Sequence, residues 1–495
     1  MAFSHADAFA QYKTKNAPQE TPKSESELIL EEAASSEAPV VITLEQALQI
    51  ALSENVSVKV ADMEIQRAQY AKKGSYAALF PQIDATGAYQ RTIKKQVMYM
   101  DFDMSSIMGG AGGEGTELPD GVELPDGVEI PESGEGAAPG GSDNGGGLEV
   151  GRWNTWSAGV SAAMPLVNAQ LWKSLKISGL DVELAVEKAR SSRLDMVTQV
   201  KNAYFATLLA KEAFEVYKQV YENAVQNLEE TEKKYRAQKV SDMELLRAKT
   251  TVANAIPNVY NAEGSVILSL WQLKAILGVD LDMNLDVAGK LEDWSEHMFY
   301  DIHQHDSISL DRNTTMKQLA IQAEMLAETI KVQQYANIPS LAVAFNFSYN
   351  AMTNDFKFSE YRWTPYSYVG LSLNIPIFAG GKRYHAIRQA KNQYQQVQLQ
   401  TVNTERQLKI AIRQSLNTME TNMKSYYASK DALAAAQKGY DIVAKSYQVG
   451  RSTLIEVNDA QLALTQAQLG ASQAVYNFLT AKAQLEQTLG QDFVE

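Results

Sequence analysis

Cysteine is absent from all 495 residues. Disulfides, thiolate metal sites, a Cys nucleophile and a lipid-bearing Cys are therefore excluded from this sequence. Missing too is any run of 18 apolar residues, so no helix is apolar enough to cross a membrane. Positive charge is in deficit, with 45 Lys and Arg against 59 Asp and Glu and a formal net charge of -14. That balance argues against nucleic acid or an anionic membrane surface as the main partner. No basic stretch followed by an apolar one opens the sequence; "ADAFAQ" (Ala6 to Gln11) reads either as the remnant of a cleavage site or as part of an ordinary tail. No phosphate loop, nucleophilic triad or HExxH-type helix is written anywhere, so neither a catalytic role nor a cofactor is expected. "HQHD" puts His303 and His305 in a polar connector without further ligands beside them, and a solvated loop rather than a metal site is the expectation there.

Glycine and proline are absent where it matters most. The whole stretch from Leu180 to Ile256 contains neither, and nor does the stretch from Lys382 to Lys438. At 1.5 Å per residue, rods ending near Ala237 and Tyr447 would span roughly 85 and 95 Å. Rods of that length must pack along other rods, and Ala-rich faces such as "DALAAAQKGYDIVAKSY" permit close coiled packing. Taken alone, the helices fit a soluble coiled-coil scaffold equally well.

What the chain does contain is itself, twice. Tyr235 to Gly278 aligns without a gap on Tyr447 to Gly490, at an offset of 212 (447 minus 235), with nine identities including Tyr235/Tyr447, Glu244/Glu456, Ala248/Ala460 and Gly278/Gly490. Ordinary composition gives roughly three. Upstream, "GVSAAMP" matches "GLSLNIP" at an offset of 211, and Pro81 stands opposite Pro339 at 258; the difference, 258 minus 211, is 47 extra residues in the first repeat. They are the Gly-, Glu- and Pro-rich block from about 103 to 150. With twelve acids and no Lys or Arg between Gln96 and Gly151, it is expected to be a disordered, charged external loop. The expected organisation is thus a disordered tail over 1–41, repeat one over 42–290 and repeat two over 291–495. Each repeat reads helix, strand, loop, strand, long helix, turn, helix. A first helix capped by Thr43 is expected to run to about Leu79, and the partner of the long loop, Ala351 to Tyr361, is short.

The strands alternate. In "LAVAFNFSYN", Leu341, Val343, Phe345, Phe347 and Tyr349 share one face, while Ala342, Ala344, Asn346, Ser348 and Asn350 share the other. Trp153, Trp156, Tyr361, Trp363, Tyr366 and Tyr368 fall near strand starts, where the aromatic girdle of a membrane barrel would lie. A soluble sandwich with an aromatic core is the competing reading, but four strands are thin for one. The strands therefore decide against a purely soluble scaffold or surface adhesin, the alternative class of function. Detergent extraction separates the two readings.

Between the paired rods stand two short interruptions, 237–240 and 448–452, each followed by an S/T-x-x-E capping box: Ser241 to Glu244 and Thr453 to Glu456. Gly450 can supply a left-handed turn in the second; the first has only "AQKV".

Together, "ITLEQALQIALSEN", "LNIPIFAGGKRYHAIRQA" and "YQVGRSTLIEVNDAQ", in this order and within a duplication, resemble the TolC family of outer-membrane efflux ducts over about Val41 to Asp492. The resemblance implies an α+β membrane protein in the bacterial outer membrane, its helical part in the periplasm. It implies a homotrimer whose four strands per chain close a 12-stranded β-barrel in lipid, continuous with a coiled-coil tunnel. The function implied is a passive exit duct for efflux or type I secretion, opened by a periplasmic adaptor (membrane fusion) protein and an inner-membrane pump of RND, ABC or MFS type. The adaptor would meet the tips at Gln238, Lys239, Val240, Ser241, Val449, Gly450, Arg451, Ser452 and Thr453. The family pattern Y-x-V-G-x-x-T-x-x-D-V-x-D-A is met at Tyr447, Val449, Gly450, Thr453, Val457, Asp459 and Ala460, with Glu456 for the first Asp. By this pattern Glu456 and Asp459 ring the pore constriction, and Tyr447 bridges to Glu244 of the neighbouring hairpin as a gate contact. Read from the residues alone, Glu456 is a helix cap that either lines the pore as well or does not, and Asp459 is either a pore ring or a solvated side chain. Ser452 stands where a family gate arginine would, with Arg451 one place earlier.

Overall fold

The computed structural model describes Ile29 and residues 39–98, 148–298 and 309–492. The rest of the expected tail, most of the acidic block, His303 and His305 lie outside the described residues. In chain order the elements are β1 (Val40–Ile42), α1 (Leu44–Glu54), α2 (Val56–Ala77), β2 (Gln82–Arg91), β3 (Gln96–Met98), β4 (Leu148–Val150), β5 (Asn154–Val167) and α3 (Ala169–Arg236). There follow α4 (Asp242–Leu277), β6 (Leu285–Val287), a 3-10 segment Leu291–Met298, α5 (Thr314–Tyr335), β7 (Ser340–Thr353), β8 (Thr364–Asn374), α6 (Lys382–Gln448) and α7 (Leu454–Leu489).

Several sequence expectations change, among them the start of the short loop, since Ala351 to Thr353 belong to β7. Val40 and Val41, placed in the disordered tail, belong to β1, which pairs in parallel with β6. The β-branched triplet "VVI" suits a strand, but its partner is remote in sequence, with Leu285 opposite Val40, so nothing local announces it. The helix expected from Thr43 to Leu79 is two helices. Thr43 and Gln46 form the cap, Oε1 of Gln46 accepting from the Thr43 amide at 3.0 Å. The helix then stops at Asn55, whose ψ is 130°. The Asn55 side-chain oxygen accepts from the Ser57 amide at 2.7 Å, and its amide donates to the Ile276 carbonyl at 2.6 Å. An Asn that binds backbone on both sides replaces the helical bonds it interrupts. Last, Leu148 to Val150, counted in the loop, form β4 and pair antiparallel with β3.

The chain divides into two compact units. In the first (residues 1–72, 176–330 and 388–495) the core lies around β1 and β6. Ile42, Leu48, Ile50, Val200, Tyr204 and Leu208 are fully buried there with Leu277, Leu291, Ile412 and Phe478. Along α3, Val197, Val200, Tyr204 and Leu208 recur at three- and four-residue steps, which is one helix face. Tyr204 clamps both strands of the small sheet, its hydroxyl donating to the Ala288 carbonyl at 2.7 Å and lying 3.2 Å from that of Ile42. The long helices persist because nothing breaks them: α3 has 68 residues and α6 has 67, about 100 Å of rise each. Pro257 sits within α4 on an exposed face, where only one backbone bond is lost.

In the second unit (73–175 and 331–387) four antiparallel strands stand in the order β2-β5-β7-β8. The register sorts the side chains by row. Ile83, Ala162, Phe345 and Val369 stand in one row, and Ala85, Val160, Phe347 and Ser367 in the next on the same face. The other face carries Asp84, Ser161, Asn346 and Tyr368, then Thr86, Gly159, Ser348 and Tyr366. Tyr366 and Tyr368 therefore share the polar face and cannot belong to an apolar-side girdle as the sequence suggested. Trp156 can: it opposes Tyr89, their rings 4.3 Å apart, and stacks edge-on with Phe358 at 5.0 Å. Gly159 is required by closeness, since a Cβ there would lie 2.7 Å from the Phe347 carbonyl oxygen.

Candidate functional site at the hairpin tips

Both interruptions between long helices have one backbone design. In the second, the Arg451 amide donates to the Ser446 carbonyl at 2.8 Å and the Gly450 amide to that of Tyr447 at 3.0 Å, with Gly450 at φ +80°. In the first, the Lys239 amide donates to the Lys234 carbonyl at 2.9 Å and the Gln238 amide to that of Tyr235 at 2.8 Å, with Gln238 at φ +58°. Each is a Schellman end, and the left-handed position is Gly in one and Gln in the other. Val449, Gly450, Arg451, Gln238 and Lys239 are exposed, while Val240 and Ser452 are half-buried.

The second helix of each pair starts on a hydroxyl. Thr453 accepts from the Glu456 amide at 3.3 Å, and Glu456 reaches back to the Thr453 amide at 2.9 Å. Ser241 accepts from the Glu244 amide at 3.4 Å. The Glu244 carboxylate instead faces the hydroxyl of Tyr447 and the ammonium of Lys234. Two glutamates aligned by the repeat thus do different work.

Tyr447 is the centre of the site. Only 1% exposed, it packs with Ala248, Leu454 and Val457 and is edged by Leu228, Tyr440 and Val443. Its hydroxyl is 2.6 Å from that of Thr231. Lys234 stands over the ring, Nζ 3.7 Å from the centroid, and donates to the Tyr447 carbonyl. Burial pushes the Tyr447 hydroxyl above its ordinary pKa, helped by the negative charges of Glu244 and Glu230. Burial also draws the Lys234 ammonium below its ordinary value, while Glu230 and Glu244 oppose that shift. Asn458 joins the two hairpins farther on, donating to Thr251 at 3.3 Å. Asp459 is exposed.

Of the residues singled out by sequence, Tyr447 and Glu244 come together within one chain, and Glu456 is engaged in its own cap. Thr231 and Lys234 were missed. Lys234 sits in the charge-rich run "EETEKKYR" and reads as a solvated side chain; its repeat counterpart is Ser446, so the duplication does not flag it. The repeat counterpart of Tyr447, Tyr235, is 38% exposed and bonds Asp242 in its own hairpin, which raises its pKa.

The outer membrane efflux protein family model matches residues 133–279 and 307–491. The chain belongs to that family. It is 22% identical over 349 residues to the outer membrane protein TolC of Escherichia coli, covering 68% of this chain and 70% of that protein. It is 20% identical over 358 residues to the proteases secretion protein PrtF of Dickeya chrysanthemi, covering 68% and 73%. Among solved structures, the Campylobacter jejuni CmeC outer membrane channel superposes with a TM-score of 0.66 over 93% of this chain and 91% of that one, at 16% identity. This member of the outer membrane efflux protein family resides in the outer membrane, with its helical part in the periplasm.

Proposed function

We propose that the chain is one protomer of a passive outer-membrane exit duct serving efflux or type I secretion. The observation that carries this reading is the sheet. It has an apolar and a polar face, every residue of β2 is exposed and nearly every residue of β8, and both are edge strands. Open edges cannot stand in hydrocarbon, where each unpaired backbone group costs several kcal/mol. Further copies of the chain remove the edges, and three copies give a 12-stranded barrel with the polar face inward. The long helices then form the periplasmic tunnel.

Internal duplication supports the same reading. Asn55 donates to the Ile276 carbonyl, and Asn313 donates to that of Thr488 at 2.6 Å. Gly278 and Gly490, both left-handed, end the helices they join. Each copy of the device ties a short helix to a long hairpin, so the tunnel wall in a trimer would be built from six similar units.

The narrow end lies at the tips. Glu456 and Asp459 of three copies surround the axis, Tyr447 and Glu244 hold the hairpins together, and an adaptor docks on 238–241 and 449–453. The pump behind it supplies the energy. Purification tests this reading: the protein should require detergent, run as a trimer and conduct in planar lipid bilayers. A protein that stays in the aqueous phase as a monomer would overturn it.

A further inference from the structure

Lys234 is the group at the tips that neither the family pattern nor the duplication assigns. Three features converge on it. Its ammonium sits 3.7 Å from the Tyr447 ring centroid, a close cation–π geometry. It donates to the Tyr447 carbonyl, which lies in the last turn of α6, where orphan carbonyls and the negative end of the helix dipole favour a cation. It also lies in the last turn of α3, so it ties the end of one hairpin to the end of the other. Thr231, one helical turn earlier, holds the Tyr447 hydroxyl. The tyrosine is thus gripped at the ring, the hydroxyl and the backbone by two residues of α3.

We propose that Lys234 is the positioning residue that clips the second hairpin to the first and keeps the narrow end closed. This rests on the reading of the chain as a duct and adds the group that regulates it. The carbonyl bond needs the Lys234 donor and the ring contact needs its charge. The hydroxyl bond to Thr231 needs neither. Removing both should therefore free the end of α6 even with Tyr447 intact. The two acids that face the ammonium, Glu230 and Glu244, would then oppose Tyr447 without a compensating cation.

The test uses the purified full-length protein in planar bilayers without adaptor or pump. Lys234→Met keeps the apolar stem and removes charge and donor; it should raise the conductance several-fold while oligomer mobility and melting stay as in the unaltered protein. Lys234→Arg keeps a cation with donors and should close again to near the unaltered level. A Lys234→Met protein that assembles and stays as closed as the original overturns the clip. So does a Lys234→Arg protein as open as the Met variant, since packing and not the cation would then matter. If Lys234→Met does not assemble, Lys234→Leu, which also lacks charge and donor, carries the same comparison, and closure like that of the original sinks the proposal. Should the unaltered protein itself form no conducting trimer, the duct reading fails, a result distinct from failure of the clip.

Discussion

Tyr204 shows how one side chain can hold a core together and still be tested alone. It is buried, its hydroxyl bonds the Ala288 carbonyl, and burial, with the Asp286 carboxylate nearby, pushes its pKa to about 12. The fold favours the neutral phenol. Its contribution to stability is therefore complete below the ordinary tyrosine value near pH 10 and is lost as pH rises from there towards about 12. In a difference absorbance titration, Tyr204→Phe should remove one late-ionising phenol, and it should cost about 1–3 kcal/mol because a buried acceptor loses its partner. A phenol titrating at the ordinary value would mean that the clamp is open in solution. Asp459 is the opposite case, exposed on the first turns of α7. If three copies ring the axis, Asp459→Asn should weaken the preference of the channel for cations, read as a reversal potential across a salt gradient. An unchanged reversal potential would make it a solvated side chain. Residue roles were the least legible part of the sequence. The duplication aligned Glu244 with Glu456, yet one faces Tyr447 and the other closes its own cap, because the partner of Glu244 comes from the far end of α6, in the other repeat.

At the scale of elements the sequence was far more readable, since helix length, strand alternation and caps are local. The stretch free of Gly and Pro from Lys382 became α6, the one from Leu180 became most of α3, and the Thr453 box closed as expected. What escaped was set by distant partners: β1, whose mate is β6, and the break at Asn55, whose amide serves Ile276. The first tip, at 237–240, was legible only through the duplication, and for another reason. Sequence reasoning looks for Gly at a left-handed position, and Gln238 occupies it at φ +58°. A residue with a Cβ is strained there by about 1–2 kcal/mol, partly offset by the entropy glycine loses on folding. Gln238→Gly should thus stabilise the tip by up to about 1 kcal/mol, seen as roughly five-fold slower hydrogen exchange of the Lys239 amide. Faster exchange would show that the Gln238 side chain does something the backbone does not reveal. The sheet offers a sharper contrast. Phe345 and Asn346 are neighbours on opposite faces, the first in the Ile83 row and the second in the Asp84 row. Phe345→Arg should cost about 2–4 kcal/mol in lipid if mid-barrel, and Asn346→Arg much less, measured as the yield of assembled protein refolded into vesicles. Equal losses on both faces would remove the barrel.

At the scale of the whole molecule, the question is what covers an edge. Within one chain β2 and β8 are the two ends of the sheet, and closing four strands on themselves would leave no lumen for the polar residues Asp84, Thr86, Asn346 and Ser348 to line. Pairing β8 of one copy with β2 of the next is heterologous, head to tail, and a rotation that closes gives a ring. The absence of cysteine makes this testable without background. One cysteine on β2 and one on β8 of the same chain, scanned along both strands over 82–91 and 364–374, should cross-link between copies at matching registers. A double variant then yields covalent dimers and trimers on a non-reducing gel, and no species beyond the trimer, because the ring is closed. Cross-links that form only within a chain would mean that β2 and β8 meet each other. A ladder continuing past three would mean that the rotation does not close and that the copies form an open array. Either result would sink the trimeric duct, whereas a ladder ending at three would fix both the strand partners and the number of chains around the axis.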